Sequence, residues 1–292
     1  MPTDGRNPPL AVIGGGNMGL AIVSGGMAGT RPLMRGFVAV AEPDEAKRAA
    51  FKALGVATFA HAADAIGAAI GKEDKGGEAQ VLLAVKPQML LRLAEEVREL
   101  LAAESRVVIS ILAGTPTAKV RAVLGVALGA ASGAEVRVVR AMPNLPAKIR
   151  QGITALCSGA GTRPGDDAFA REIFGGVGPM VVTIEESLMD AFTAVAGSGP
   201  AYVFYLAEAM IQASVRLGFD EPTARDIVRE TIAGAGNLLA DSAEAPEKLR
   251  AAVTSKGGTT EAACKKLDEA GVMLALVEAM RAARDRGREL GR

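Results

Sequence analysis

Leu10-Ala11-Val12-Ile13 is a short, wholly apolar run that stops at Gly14-Gly15-Gly16-Asn17-Met18-Gly19. A run of this length, apolar at every position and ended by glycine, reads as a strand buried on both faces. Met18 to Met27 then has helical composition. Strand, glycine turn and helix in that order open a βαβ unit. The spacing of Gly14, Gly16 and Gly19 suits a turn in which a pyrophosphate reaches backbone N–H groups at a helix N-terminus. Glycines at such places also serve tight turns and close helix packing with no ligand. The wider context favours the ligand. A second strand follows over Phe37–Ala41 and ends at Glu42, about twenty residues beyond the motif, where an acid commonly meets a ribose hydroxyl.

The alternation continues along the chain. Helical patterns at Ala46–Leu54, Met89–Ala102 and Pro116–Leu124 are interleaved with strand patterns at Gln80–Val85, Arg106–Ile111 and Glu135–Arg140. Strands at Gly152–Cys157 and Met180–Ile184 flank a helix near Asp166–Phe174. This predicts an α/β domain with a mostly parallel, doubly wound sheet over residues 1–184. After Glu185 the pattern becomes helical throughout: Ser187–Ala196, Pro200–Leu217, Glu221–Asp241, Pro246–Thr254 and Thr259 onward, with Ser187 and Asp220 as expected caps. The second domain, 185–292, is predicted to be all-α. Gly71–Gly77 reads as a solvated inserted loop.

Bulk properties exclude several function classes. Thirty-three basic residues balance thirty-three acidic ones, so no basic excess points to nucleic acid. Tryptophan is absent and aromatics are scarce, which disfavours a base-stacking platform. Cys157 and Cys264 lack metal-type or redox-type spacing, and the single His61 cannot build a histidine metal site. No apolar run of about eighteen residues predicts a membrane span. Met1–Pro9 lacks a secretory pattern, and the default expectation is a soluble cytoplasmic protein.

Three strand ends carry candidate cofactor contacts, because ligands of open parallel sheets bind at the carboxyl edge. Ala84-Val85-Lys86-Pro87 ends the third strand; Lys86 would either touch a ribose or stay in solvent. The segments ending in Ala113-Gly114 and in Met142-Pro143-Asn144 would line a nicotinamide pocket with their backbones, or be ordinary turns. Glu42 would repel a 2′-phosphate, whereas Lys47 and Arg48 could accommodate one, so NADH and NADPH both stay open. Gly197-Ser198-Gly199-Pro200 breaks one helix and starts another, by proline's preference for a first turn or as an approach point for substrate. Glu208, on the apolar helix that follows, reads as a paired or interface acid. Thr254-Ser255-Lys256-Gly257-Gly258-Thr259-Thr260 leads into a helix, and its N–H groups and hydroxyls would attract a small anion.

Taken together, Gly-Gly-Gly-Asn-Met-Gly at 14–19, Ala-Val-Lys-Pro-Gln at 84–88, Arg-Ala-Met-Pro-Asn at 140–144, Gly-Ser-Gly-Pro-Ala-Tyr at 197–202 and Thr-Ser-Lys-Gly-Gly-Thr-Thr at 254–260 resemble pyrroline-5-carboxylate reductases. The resemblance spans Leu10 to about Asp268. It implies a Rossmann domain joined to a helical dimerisation domain, homodimers assembling into a decamer, and NADPH or NADH as cofactor. It implies that Gly14, Gly16, Asn17, Met18 and Gly19 cradle the dinucleotide. The substrate carboxylate would sit on Ser255, Gly258, Thr259 and Thr260, with the Thr260 hydroxyl near the ring nitrogen as the catalytic group. Lys256 stands where relatives often carry proline, Leu145 where they carry threonine, and Ala62 near the place of a cofactor-touching asparagine. A β-hydroxyacid dehydrogenase is the nearest rival, but it needs a lysine base on the first long helix of the second domain. Gly197 to Met210 contains none. A non-catalytic dinucleotide sensor would lack the loop chemistry at 255–260.

Overall fold

The computed structural model describes residues 7–73, 78–102, 104–128 and 135–291. The chain divides into two compact units, Met1–Gly197 together with Arg284–Arg292, and Ser198–Ala283.

The first unit is built on an eight-stranded sheet. Its strands are β1 (Leu10–Ile13), β2 (Val38–Ala41), β3 (Ala57–Phe59), β4 (Gln80–Leu83), β5 (Arg106–Ser110), β6 (Val136–Pro143), β7 (Ile153–Ser158) and β8 (Met180–Thr183). Their spatial order is β3-β2-β1-β4-β5-β6-β7-β8. Every neighbouring pair is parallel except β6 and β7, which run antiparallel. The order reverses at β1, which pairs with β2 on one side and β4 on the other, so a crevice for ligand opens beyond the ends of β1 and β4.

Both faces of the sheet are covered, which is why its central strands read as unbroken apolar runs. On one face Val12, Val40, Leu82 and Ile109 pack with Ile22 and Val23 of α1 (Asn17–Met27) and with Phe169 and Phe174 of the helix Ala168–Gly175. On the other face Ala11, Ile13, Val81 and Val108 pack under α3 (Ala62–Ile70), α4 (Leu90–Ala102) and α5 (Thr117–Leu128). Between them in the chain lies α2 (Glu45–Ala53), whose N-cap Asp44 accepts from Ala46 and Lys47 N–H.

Some elements depart from the sequence reading. β3 and α3 were not foreseen. α3 buries Ala62, Ala65, Ile66 and Ala69, a regular stripe made of small side chains. Its N-cap, His61, makes no side-chain cap, and the first amides are held instead by Glu96 of α4, 2.6 Å from Ala62 N. β6 runs on to Pro143 rather than stopping at Arg140, because antiparallel pairing with β7 carries it (Arg140 to Cys157, Pro143 to Thr154). Ser187 is not a cap. It lies inside the short 3-10 turn Glu186–Leu188, and the neighbouring Glu186 caps α5 instead, accepting from Thr117 N and Thr117 Oγ1 at 2.7 Å each. Residues 74–77 of the expected inserted loop lie outside the described residues; its Glu73 pairs with the buried Arg106.

The second unit is helical. Gly199–Arg216 and Glu221–Asp241 pack together across a turn at Gly218 (φ 107°), and Asp220 caps the latter by accepting from Thr223 N at 3.0 Å. The helices Pro246–Ala252 and Thr259–Glu269 follow, and then Val272–Gly291, whose last turns belong to the first unit. Gly199–Arg216 contributes no buried residue, and Phe204 and Tyr205 on it are exposed. Among the described residues no helix is long and apolar enough to cross a membrane.

Candidate functional site

The glycine turn sits at the reversal point of the sheet. Gly14 adopts φ 110°, and its N–H donates to Ala41 O at 2.8 Å. A Cβ there would come within 2.5 Å of the Ala84 carbonyl oxygen, so only glycine lets β1 and β4 close up at their ends. A Cβ on Gly19 would overlap the Gly14 carbonyl oxygen, and this glycine lets α1 pack onto the strand that feeds it. Gly16 differs from both. It is the N-cap of α1, no side chain caps it, and an added Cβ would meet nothing within 4 Å. Open space therefore lies in front of the first amides of α1, beside the exposed Asn17 and half-buried Met18. A dinucleotide pyrophosphate fits this cradle by charge and by space.

Glu42 closes one wall. It is buried at 9% exposure, and its two oxygens accept from Gly15 N at 2.8 Å and Asp44 N at 3.1 Å. It thus ties the glycine turn to the loop after β2. Arg48 caps that loop, donating from Nη1 to Glu42 O and Pro43 O at 2.7 Å each. Across the crevice Ala84 and Val85 are half-buried, whereas Lys86 and Pro87 are exposed at the start of a 3-10 turn. Ala113 is exposed; Gly114 is buried with φ 64°, packed against Leu290 and Gly287 of the returning C-terminal helix.

The segment 140–144 meets the turn that leads into the second unit. Met142 Cε would lie 3.0 Å from a Cβ on Gly197, within a π-helical turn, Thr193–Gly197. The Asn144 amide is engaged at both ends, donating to Ala196 O and accepting from Ile153 N at 3.0 Å each. Arg140 is buried and faces Glu186 (3.4 Å) and Asp190 (3.8 Å). This ionic cluster, which sequence reasoning did not find, joins β6, α5 and the helix Met189–Phe192. Cys157 lies beside it. Burial first, then the Glu186 carboxylate, push its thiol up to about 12, which leaves it an inert, protonated packing group.

The loop at 254–260 belongs to the second unit. Gly257 has φ 75° and Gly258 is the N-cap of Thr259–Glu269, with no side-chain cap. Ser255 O accepts from Gly258 N at 3.0 Å, and Glu261 accepts from Gly257 N at 2.7 Å, which fixes the turn. Ser255 and Thr259 are exposed and Thr260 half-buried. The first turn of this helix therefore starts without a side-chain cap beside Ser255, Thr259 and Thr260, an arrangement that attracts a carboxylate. Lys256 is exposed beside them.

Comparison with known proteins bears on both units. A family model described as pyrroline-5-carboxylate reductase dimerisation matches residues 186–290, and one described as NADP oxidoreductase coenzyme F420-dependent matches residues 9–114. The chain is 37% identical over 284 residues to a pyrroline-5-carboxylate reductase of Haemophilus influenzae, covering 96% of this chain and 97% of that protein. A solved pyrroline-5-carboxylate reductase of Coxiella burnetii superposes with a TM-score of 0.83 at 31% identity, covering 98% of this chain and all of that one (100%). A Plasmodium falciparum pyrroline carboxylate reductase with NADP bound shares the fold (TM-score 0.79, 23% identity, 98% and 99% coverage).

Proposed function

This chain belongs to the pyrroline-5-carboxylate reductase family, and we propose that it reduces 1-pyrroline-5-carboxylate to L-proline, the last step of proline synthesis, with NADPH or NADH. The observation that carries this reading is the uncapped helix N-terminus at Gly258, ringed by Ser255, Thr259 and Thr260, in a chain that also holds an open pyrophosphate cradle at Gly16.

In this reading residues 1–184 bind the cofactor and residues 185–292 bind the substrate and dimerise. Gly14, Gly16, Asn17, Met18 and Gly19 receive the pyrophosphate, and Glu42 faces the adenosine ribose. Ala84, Val85, Lys86 and Pro87 line the crevice opposite. Ala113, Gly114, Met142, Pro143 and Asn144 border the nicotinamide, with the Asn144 amide holding the backbone around it. The reduced nicotinamide, when bound, supplies the hydride that adds to the C=N carbon.

The chain's own residues have a modest chemical task. A protonated cyclic imine is already electrophilic, so no strong base is required, in keeping with one histidine and no paired acid and base at the loop. Ser255, Gly258 and Thr259 hold the substrate carboxylate, and the Thr260 hydroxyl orients the ring nitrogen. The exposed apolar side chains of Gly199–Arg216, a helix with no buried residue of its own, support a homodimer, and a decamer of such dimers is part of this proposal. A cytoplasmic location goes with this reading.

The test is a coupled assay with 1-pyrroline-5-carboxylate and each reduced dinucleotide. Consumption of reduced cofactor and formation of proline in equal amounts support the proposal. Turnover of a β-hydroxy acid with oxidised cofactor, and none of the imine, would overturn it.

A further inference from the structure

Glu42 does more than close the glycine turn. Each carboxylate oxygen accepts one backbone N–H, from Gly15 and from Asp44, and a carboxylate has about four acceptor positions in all. Acceptor capacity for hydroxyl hydrogens therefore remains at the wall of the crevice. The same residue sets a negative charge where the outer ribose of a bound dinucleotide would lie, just past the end of β2.

Three nearby features could in principle hold a 2′-phosphate, and each is at least partly engaged. The N-terminus of α2 would offer amides, but the Asp44 carboxylate occupies it, accepting from Ala46 N at 2.9 Å and Lys47 N at 3.4 Å. Arg48 spends its Nη1 on the carbonyls of Glu42 and Pro43. Lys47 lies 3.6 Å from Asp44 in an exposed pair. Glu45 adds a further acid to the first turn of α2. A phosphate carrying up to two negative charges would enter beside the carboxylates of Glu42, Asp44 and Glu45, where the Ala46 and Lys47 amides are already taken by Asp44.

Resting on the dinucleotide reading above, we propose that Glu42 and the Asp44-capped start of α2 make this reductase selective for NADH over NADPH. The inference runs against the NADP-bound relative of the same fold, and it concerns this chain's own residues.

Isothermal titration of the full-length protein with NADH and with NADPH, without substrate, tests it. NADH is expected to bind at least about tenfold more tightly, given the cost of placing like charges together. In Glu42→Gln the charge is gone while an acceptor for Gly15 N remains. The ratio should fall to about threefold or less, chiefly through tighter NADPH binding. A purely structural role for Glu42 would instead weaken both dinucleotides alike and leave the ratio unchanged, which would overturn the proposal. NADPH binding as tightly as NADH to the unaltered protein would overturn it without touching the proposed reaction. Failure to bind either dinucleotide would remove the cofactor reading and this inference with it.

Discussion

Replacing Asn144 with alanine isolates what that side chain does. Its amide donates to Ala196 O and accepts from Ile153 N, both at 3.0 Å, across 52 and 9 residues of sequence. The substitution removes two hydrogen bonds and leaves a carbonyl and an N–H without their partners. Both of those backbone groups sit on half-buried residues, so water can reach them in part and the lower end of the usual range applies. About 1 kcal/mol for each group gives roughly 2 kcal/mol of lost stability. With a urea slope of roughly 2–3 kcal/mol per molar for a unit of this size, the unfolding midpoint should fall by nearly 1 M. The assay is urea unfolding followed by circular dichroism at fixed protein concentration, with dinucleotide affinity measured on the folded variant. Asn144→Asp should keep the bond from Ile153 N but turn a carboxylate toward the Ala196 carbonyl, so its deficit should shrink on acidification as the group gains a proton to donate. A midpoint shift below about 0.3 M for Asn144→Ala would refute the assignment of the amide to backbone support.

Other outcomes follow from the same geometry. Thr260→Ala should lower kcat/KM for the imine while dinucleotide affinity holds; unchanged kcat/KM would remove the hydroxyl from the reaction. Gly19→Ala should weaken dinucleotide binding and stability together, since the new methyl must displace α1 from the Gly14 carbonyl, and a wild-type titration curve would refute the packing argument. Under native conditions near pH 8, Cys264 should react with an alkylating reagent well before Cys157. The raised Cys157 pKa means the folded state keeps a proton that the unfolded state releases, so this group's contribution is complete below about 9 and lost as pH rises toward about 12. Cys157→Ala should flatten that part of the stability–pH curve, and an unaltered alkaline limb would count against it.

What could be read from the sequence was what neighbouring residues decide among themselves. The strand at Leu10–Ile13 with its glycine turn, and the Asp220 cap on Thr223, depend on contacts a few residues apart. The helix Ala62–Ile70 was missed because its cap comes from Glu96, 34 residues on, and its buried stripe is mostly alanine. Ser187 was misread for the mirror-image reason. A hydroxyl before a helical pattern looked like a local cap, whereas the group that acts is Glu186, and it acts on Thr117, 69 residues away. Glu42 was found by position alone; its bonds to Gly15 and Asp44 needed the β1–β2 register. The ionic cluster around Arg140 had no sequence signal, because Arg140 and its acids Glu186 and Asp190 come from two stretches of chain, 46 residues apart between Arg140 and Glu186.

The buried turn at Gly114 also has a history during synthesis. It is covered by Gly287 and Leu290, and nearby Lys119 reaches Gly291, 172 residues downstream. At ribosomal speeds of about 5–20 residues per second, that partner emerges on the order of ten to thirty seconds later. Until then the nascent nucleotide fold carries an uncovered patch at the edge where its cofactor would bind. A fragment cut before Arg284 would keep that patch open for good.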